Sequence, residues 1–290
     1  MRLDDEREST NFEVQSGGGR GGGFGFGGLP IGGGGLGIGG LVLIVVVGLI
    51  FGVNPMQLLN GGGGAPGGQD VSVSRDQSQL TPVQHWSLKV LGSTERVWGD
   101  IFARQGQTYQ PTTLVFYSQS GMSGCGAAQA AMGPFYCPND KKVYLDTDFF
   151  DELTRRFGAP GDFAQAYVIG HEVGHHIQDL LGILGKVNGE QRRVSEAAAN
   201  ALQVKVELQA DCFAGVWAKG TNVMEPGDVE EGLTAAHAIG DDTLQKAAGQ
   251  RPVPESFTHG TAAQRAEWLK RGLDTGDPAQ CDTFAPGADA

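Results

Sequence analysis

The chain has 290 residues, 40% of them hydrophobic, and a formal net charge of −12. That is enough apolar material for one large domain or two small ones, and so acidic a balance argues against a nucleic-acid partner. Of the 48 glycines, 24 fall within the first 70 residues, so the opening quarter of the chain is compositionally unlike the rest.

Residues 1–28 are charged and then glycine-rich. They offer too little apolar surface to offset the entropy of ordering, and they read as a flexible tail. From Leu36 to Val53 the sequence LGIGGLVLIVVVGLIFGV runs for 18 residues without a charge, which meets the length needed to span a membrane. A cleaved signal peptide and a buried core helix compete for this stretch. An acidic leader and the lack of an Ala-x-Ala exit favour an uncleaved anchor, taken over residues 29–53. Arg2, Arg7 and Arg20 precede it and the next basic residue is Arg75, a bias that places the N-terminus in the cytoplasm and the remainder outside. Residues 54–70 contain Gly61-Gly62-Gly63-Gly64 and read as a tether, after which 71–290 form one domain.

Within that domain a helix is expected from Pro82 to Ala103, with Trp86, Val90, Leu91, Val97, Trp98 and Ile101 on its apolar face. Thr112–Tyr117 and Lys142–Asp146 are rich in β-formers, and Pro138-Asn139-Asp140 signals a turn. The resulting small sheet is either plain core or presents an edge strand that pairs with an extended peptide. Asp162 is a candidate N-cap for a helix whose apolar positions run from Phe163 to Leu181 before Gly182. That helix carries His171-Glu172-Val173-Gly174-His175-His176-Ile177-Gln178. Four helical residues turn through about 400°, so His171 and His175 lie on one face and can share an ion, for which zinc is suited. Glu172 projects beside that ion, where a carboxylate can take a proton from water without being a ligand. A mid-helix Gly174 costs about 1 kcal/mol relative to alanine, which points to close approach by another backbone or by substrate. His176 points about 100° away from His175 and is assigned near the site or in solvent. His85 and His237 read as surface or structural.

Gly185 to Gly189 reads as a break, and Glu190 to Lys219 as a second long helix. A catalytic zinc needs a third protein ligand and an open position for water. Glu207 and Asp211 share a face of the second helix, Glu207 as that third ligand and Asp211 as acceptor for the outer ring proton of one zinc histidine. Further helices are expected over Val229–Ala238, Asp241–Ala248 and Thr261–Arg271, with a loop from Pro278 onward. Cys125, Cys137, Cys212 and Cys281 lack Cys-x-x-Cys spacing, which speaks against a structural zinc. All four follow the apolar run, so disulfides are expected. Of the three possible pairings, Cys125 with Cys137 and Cys212 with Cys281 is favoured.

The combination of HEVGHHIQ with ELQAD resembles the gluzincin arrangement, and the chain as a whole resembles a bacterial family of neutral zinc metallopeptidases with a short tail, one span and an external domain. The stretches CGAAQAAMGPFYCPNDKKVYLD and SFTHGTAAQR belong to that resemblance. It implies His171, His175 and Glu207 as ligands of one catalytic Zn²⁺ and Glu172 as general base. Thr258-His259 is similar to a Thr-His element of membrane-associated zinc peptidases, here followed by Gly260 rather than proline. It suggests His259, or failing that Arg265, as donor to the developing oxyanion. The expected fold is α+β and mostly helical, a zincin-like domain with a small β-sheet preceded by a single transmembrane helix. The expected protein is a zinc metallopeptidase acting on protein or peptide substrates, single-pass in the bacterial cell membrane, with its catalytic domain periplasmic or extracellular. A catalytically silent zinc scaffold and a cell-wall peptide amidase are the alternatives.

Overall fold

A computed structural model describes residues 1–16, 71–129 and 133–288. Its sheet has five strands in the order β2-β1-β3-β7-β6: β1 (Phe12–Ser16), β2 (Ser72–Ser74), β3 (Thr113–Tyr117), β6 (Phe135–Cys137) and β7 (Lys142–Asp146). β1, β3 and β7 run parallel, while β2 and β6 are antiparallel edges. Side chains alternate across the parallel strands. Leu114, Phe116, Val143 and Leu145 join the main core under the helices, and Val115, Tyr117 and Tyr144 form a second cluster on the other face with Ala128 and Cys137. A hairpin of β4 (Ser120–Ser123) and β5 (Gly126–Gln129) supplies Ala128 to that second cluster. Apolar residues on both faces explain why these strands read as continuous hydrophobic runs.

The helices are α1 (Pro82–Arg104), α2 (Asp148–Arg155), α3 (Asp162–Leu180), α4 (Ile183–Gln191), α5 (Glu196–Thr221), α6 (Asp228–Ala238), α7 (Asp241–Ala247) and α8 (Ala262–Thr275). α1 begins at Thr81 in a full capping box with Gln84, and Pro82 stands where a missing N–H costs nothing. α3 and α5, which carry the His-Glu-x-x-His and Glu-x-x-x-Asp stretches, cross at Gly174. A Cβ there would lie 2.9 Å from the Ala210 carbonyl oxygen, so the close approach expected at this glycine is by the backbone of α5. α5 also crosses α8 backbone to backbone, at Gly215 and Gly272. Both favoured disulfide pairings are present, Cys125–Cys137 and Cys212–Cys281.

Several expectations need correction. Residues 1–16 are not a tail. β1 sits inside the sheet with Val14 opposite Ser74 on one side and Phe116 on the other, and Met1, Leu3 and Phe12 are buried. The α-ammonium of Met1 meets Asp162 at 2.8 Å and Asp228 at 3.0 Å, and Glu13 pairs with Arg75 and Lys142, each at 2.7 Å. This strand is stabilised by partners far along the chain, which local composition does not register. Asp162 is the first residue of α3 rather than its cap, which is Gly161. Gly185 and Gly189 do not break the chain: α4 passes through both, with open space where a side chain would be. The true stop is Gly182, left-handed at φ 73°. α5 starts at Glu196, where the Ser195 hydroxyl accepts from the Ala198 N–H, six residues later than its helical pattern suggests. The 29–53 stretch and the tether at 54–70 lie outside the described residues, among which no helix is long and apolar enough to cross a membrane.

Candidate metal centre

α3 brings His171 and His175 to one face, and α5 brings Glu207 opposite them. The Glu207 Oε2 atom lies 3.1 Å from His171 Nε2 and 3.5 Å from His175 Nε2, and the two imidazole rings stand nearly perpendicular at 87° with centroids 4.8 Å apart. Three donor atoms of the kind zinc takes therefore converge on one point.

The outer ring nitrogens fix how those donors face. His171 Nδ1 is 2.7 Å from Asp211 Oδ1, and His175 Nδ1 is 2.8 Å from Gln178 Oε1. A carboxylate and an amide oxygen can only accept, so each Nδ1 carries a proton, which leaves each Nε2 as the atom a metal at the centre would take. Asp211 is itself clamped: Arg265 donates through Nε to Oδ2 and through Nη2 to Oδ1, both at 2.9 Å, and the Tyr167 hydroxyl donates to Oδ1 at 2.6 Å. Burial opposes ionisation of Asp211, but the Arg265 and His171 charges outweigh it and hold the carboxyl down at about 2. With His171 and His175 neutral, as ligands to a metal must be, the buried carboxylates of Glu172, Glu207 and Asp211 face the Arg265 guanidinium and the His259 imidazole, which is itself paired with Asp241. A divalent cation would neutralise the remainder, so the donor set and the charge both fit zinc.

Glu172 is buried on the same helix and lines the same cavity, and burial raises its pKa, partly offset by the neighbouring histidines. That cavity of about 330 Å³ also takes in His171, His175, Glu207 and His259. Its walls are apolar, with Phe149, Phe157, Val168 and Leu244 among them, and Phe135 and Tyr136 of edge strand β6 lie along it. His259 is oriented by Asp241, whose Oδ1 is 3.1 Å from Nδ1 and whose Oδ2 accepts the backbone N–H groups of Thr258, His259 and Gly260. Burial pushes the His259 imidazole down, and the Asp241 charge more than reverses this, so that it is held above its usual value.

The structure therefore gathers His171, Glu172, His175, Glu207 and His259 around one cavity, with Asp211 behind His171. Arg265 also borders the cavity, but its fork is bound to Asp211, which leaves it unsuited to the oxyanion role considered for it. His176 is neither ligand nor solvated: it is buried between the Tyr136 hydroxyl and the Gln110 carbonyl. Gln178, Tyr167 and Asp241 were not singled out by the sequence. Gln178 stands one turn beyond His175, and that spacing was the available signal. Nothing local marks Asp241 as the partner of a histidine 18 positions later.

A family model described as "Putative neutral zinc metallopeptidase" matches residues 1–284. Uncharacterized protein YpfJ of Escherichia coli (strain K12) is 48% identical over 294 residues, covering 98% of this chain and 99% of its own. Uncharacterized protein Rv2575 of Mycobacterium tuberculosis (strain ATCC 25618 / H37Rv) is 45% identical over 207 residues, covering 67% of this chain and 68% of its own. No solved structure matches the chain significantly.

Proposed function

Because the chain belongs to this family of zinc metallopeptidases, we propose that it is a peptidase in which His171, His175 and Glu207 hold one zinc ion and Glu172 is the general base. The observation that carries this reading is the convergence of two Nε2 atoms and one carboxylate oxygen on a single point, with the Glu172 carboxylate and an open cavity beside them. Zinc bound there would act as a Lewis acid towards water and the scissile carbonyl. Glu172, its carboxyl raised by burial, takes the proton from the attacking water and delivers it to the departing amine. His259, held in place by Asp241 and favoured in its protonated form, donates to the oxyanion. An extended peptide adds to the edge of β6 that no described strand covers, and the apolar wall of Phe149, Phe157, Val168 and Leu244 receives a large apolar side chain next to the scissile bond.

The test is incubation of the purified full-length chain with an unfolded protein. Cleavage is expected next to large apolar residues, to stop on addition of a chelator and to return with zinc. No cleavage at any zinc level would overturn the reading. The full chain is required, since a fragment starting at residue 71 lacks β1 from the interior of its sheet.

The uncharged run from Leu36 to Val53 supports attachment to the cell membrane, and the two disulfides support an oxidising, external location for the domain. β1 and β2 are paired, with Ser16 opposite Ser72, so the chain leaves and re-enters the fold at adjacent positions. On this reading the N-terminal strand shares a side of the membrane with the domain, and the pairing of β1 with β2 and β3 speaks against a single crossing with a cytoplasmic N-terminus. Cysteines introduced at the exposed positions Asp5 and Arg251 should react equally with an impermeant maleimide on intact cells. Labelling at position 251 alone would restore the single crossing.

A further inference from the structure

The two histidines of the centre are supported by different chemistry. Behind His171 stands a carboxylate, and behind His175 a neutral amide whose orientation is fully determined. Gln178 is completely buried, and its Nε2 donates to the Val206 carbonyl at 2.7 Å and to Gln209 Oε1 at 3.0 Å. With both amide hydrogens committed, only Oε1 is left to face His175 Nδ1. Gln209 is fixed in turn, because its own Nε2 donates to the Cys281 carbonyl at 2.9 Å. Cys281 is held by its disulfide to Cys212, the residue that follows Asp211. The supports of both histidines thus lead to one place, where the C-terminal segment is fastened to α5. Val206 adds a second constraint. It immediately precedes Glu207, so the Gln178 amide ties the helix of the histidines to the helix of the carboxylate at the level of the donors.

We infer that Gln178 is a positioning residue for the metal centre: it sets the tautomer and ring direction of His175, and the relay through Gln209 to the disulfide-held tail sets Gln178. This rests on His171, His175 and Glu207 being the zinc site, and zinc affinity, read by competition with a chromophoric chelator alongside thermal unfolding of the metal-free protein, separates the two ideas. Gln178→Leu removes the acceptor for His175 Nδ1–H and is expected to weaken zinc about 10- to 100-fold, the usual effect of losing such a partner. Gln178→Glu keeps an acceptor at the same atom while placing a carboxylate opposite the Val206 and Gln209 oxygens. It should hold zinc within about threefold of the wild type, while the metal-free protein melts at a lower temperature because a buried charge lacks donors. Gln209→Leu, which touches neither histidine, should weaken zinc by less than Gln178→Leu. A purely structural role would move the melting temperatures and leave the affinities together. The inference is overturned if Gln178→Leu binds zinc within twofold of the wild type, or if the Leu and Glu variants are weakened alike. A wild-type protein that binds no zinc would instead sink the metal-centre reading itself.

Discussion

Replacing Glu172 with glutamine is expected to reduce peptide hydrolysis roughly 10³-fold while the protein still binds one zinc ion, as general acid–base groups typically contribute 10²- to 10⁴-fold. The substitution is close to isosteric. It removes a charge from a buried position that already disfavours one, so the fold should tolerate it. What disappears is the ability to accept a proton from water and hand it to the leaving amine. Metal content of the purified variant, measured with cleavage of an unfolded protein, decides the matter. Unchanged cleavage would remove Glu172 from the mechanism, and a zinc-loaded wild type with no activity to lose would favour a silent scaffold.

The second large effect concerns Glu207. Its side chain lies between two imidazole nitrogens and also accepts from Gln203 Nε2 at 2.9 Å. Glu207→Ala leaves two ligands where a catalytic zinc site uses three, so zinc affinity should fall by more than the about 100-fold that loss of a supporting partner causes, and hydrolysis should fall with it. Helix α5 should survive, because alanine favours helix and the packing at Gly174 and Gly215 is untouched. Equilibrium dialysis against zinc, with circular dichroism to follow helix content, gives the reading. Full occupancy with the helix intact would require another third ligand.

The elements that build this site were legible because their signals are local or periodic. His171 and His175, and Glu207 and Asp211, are each four apart on a helix, and that spacing alone places each pair on one face. β3 and β7 announced themselves because both of their faces are buried. The cysteine pairs stood out by the absence of metal-binding spacing. What stayed hidden depends on contacts between distant segments. Phe12–Ser16 has an unremarkable composition, and it becomes a strand only when β2 and β3 flank it. α4 contains two glycines that lower its intrinsic preference, yet it packs between the ends of α3 and α5 with Val187 buried. Asp241 became the orienting partner of His259 through a loop closure that no spacing rule encodes.

The position of β1 also has a consequence for how the chain is assembled. Each of its sheet neighbours is synthesised later, so the strand, complete at Ser16, waits until Ser72 for its antiparallel partner β2 and until Thr113 for its parallel partner β3. Joining segments so far apart carries a large closure entropy, which only the completed apolar layer repays. Maturation of the cleft is therefore a late event, because Phe12 meets its neighbour in the parallel layer only when Leu114 arrives, and Leu114 meets its own only with Val143.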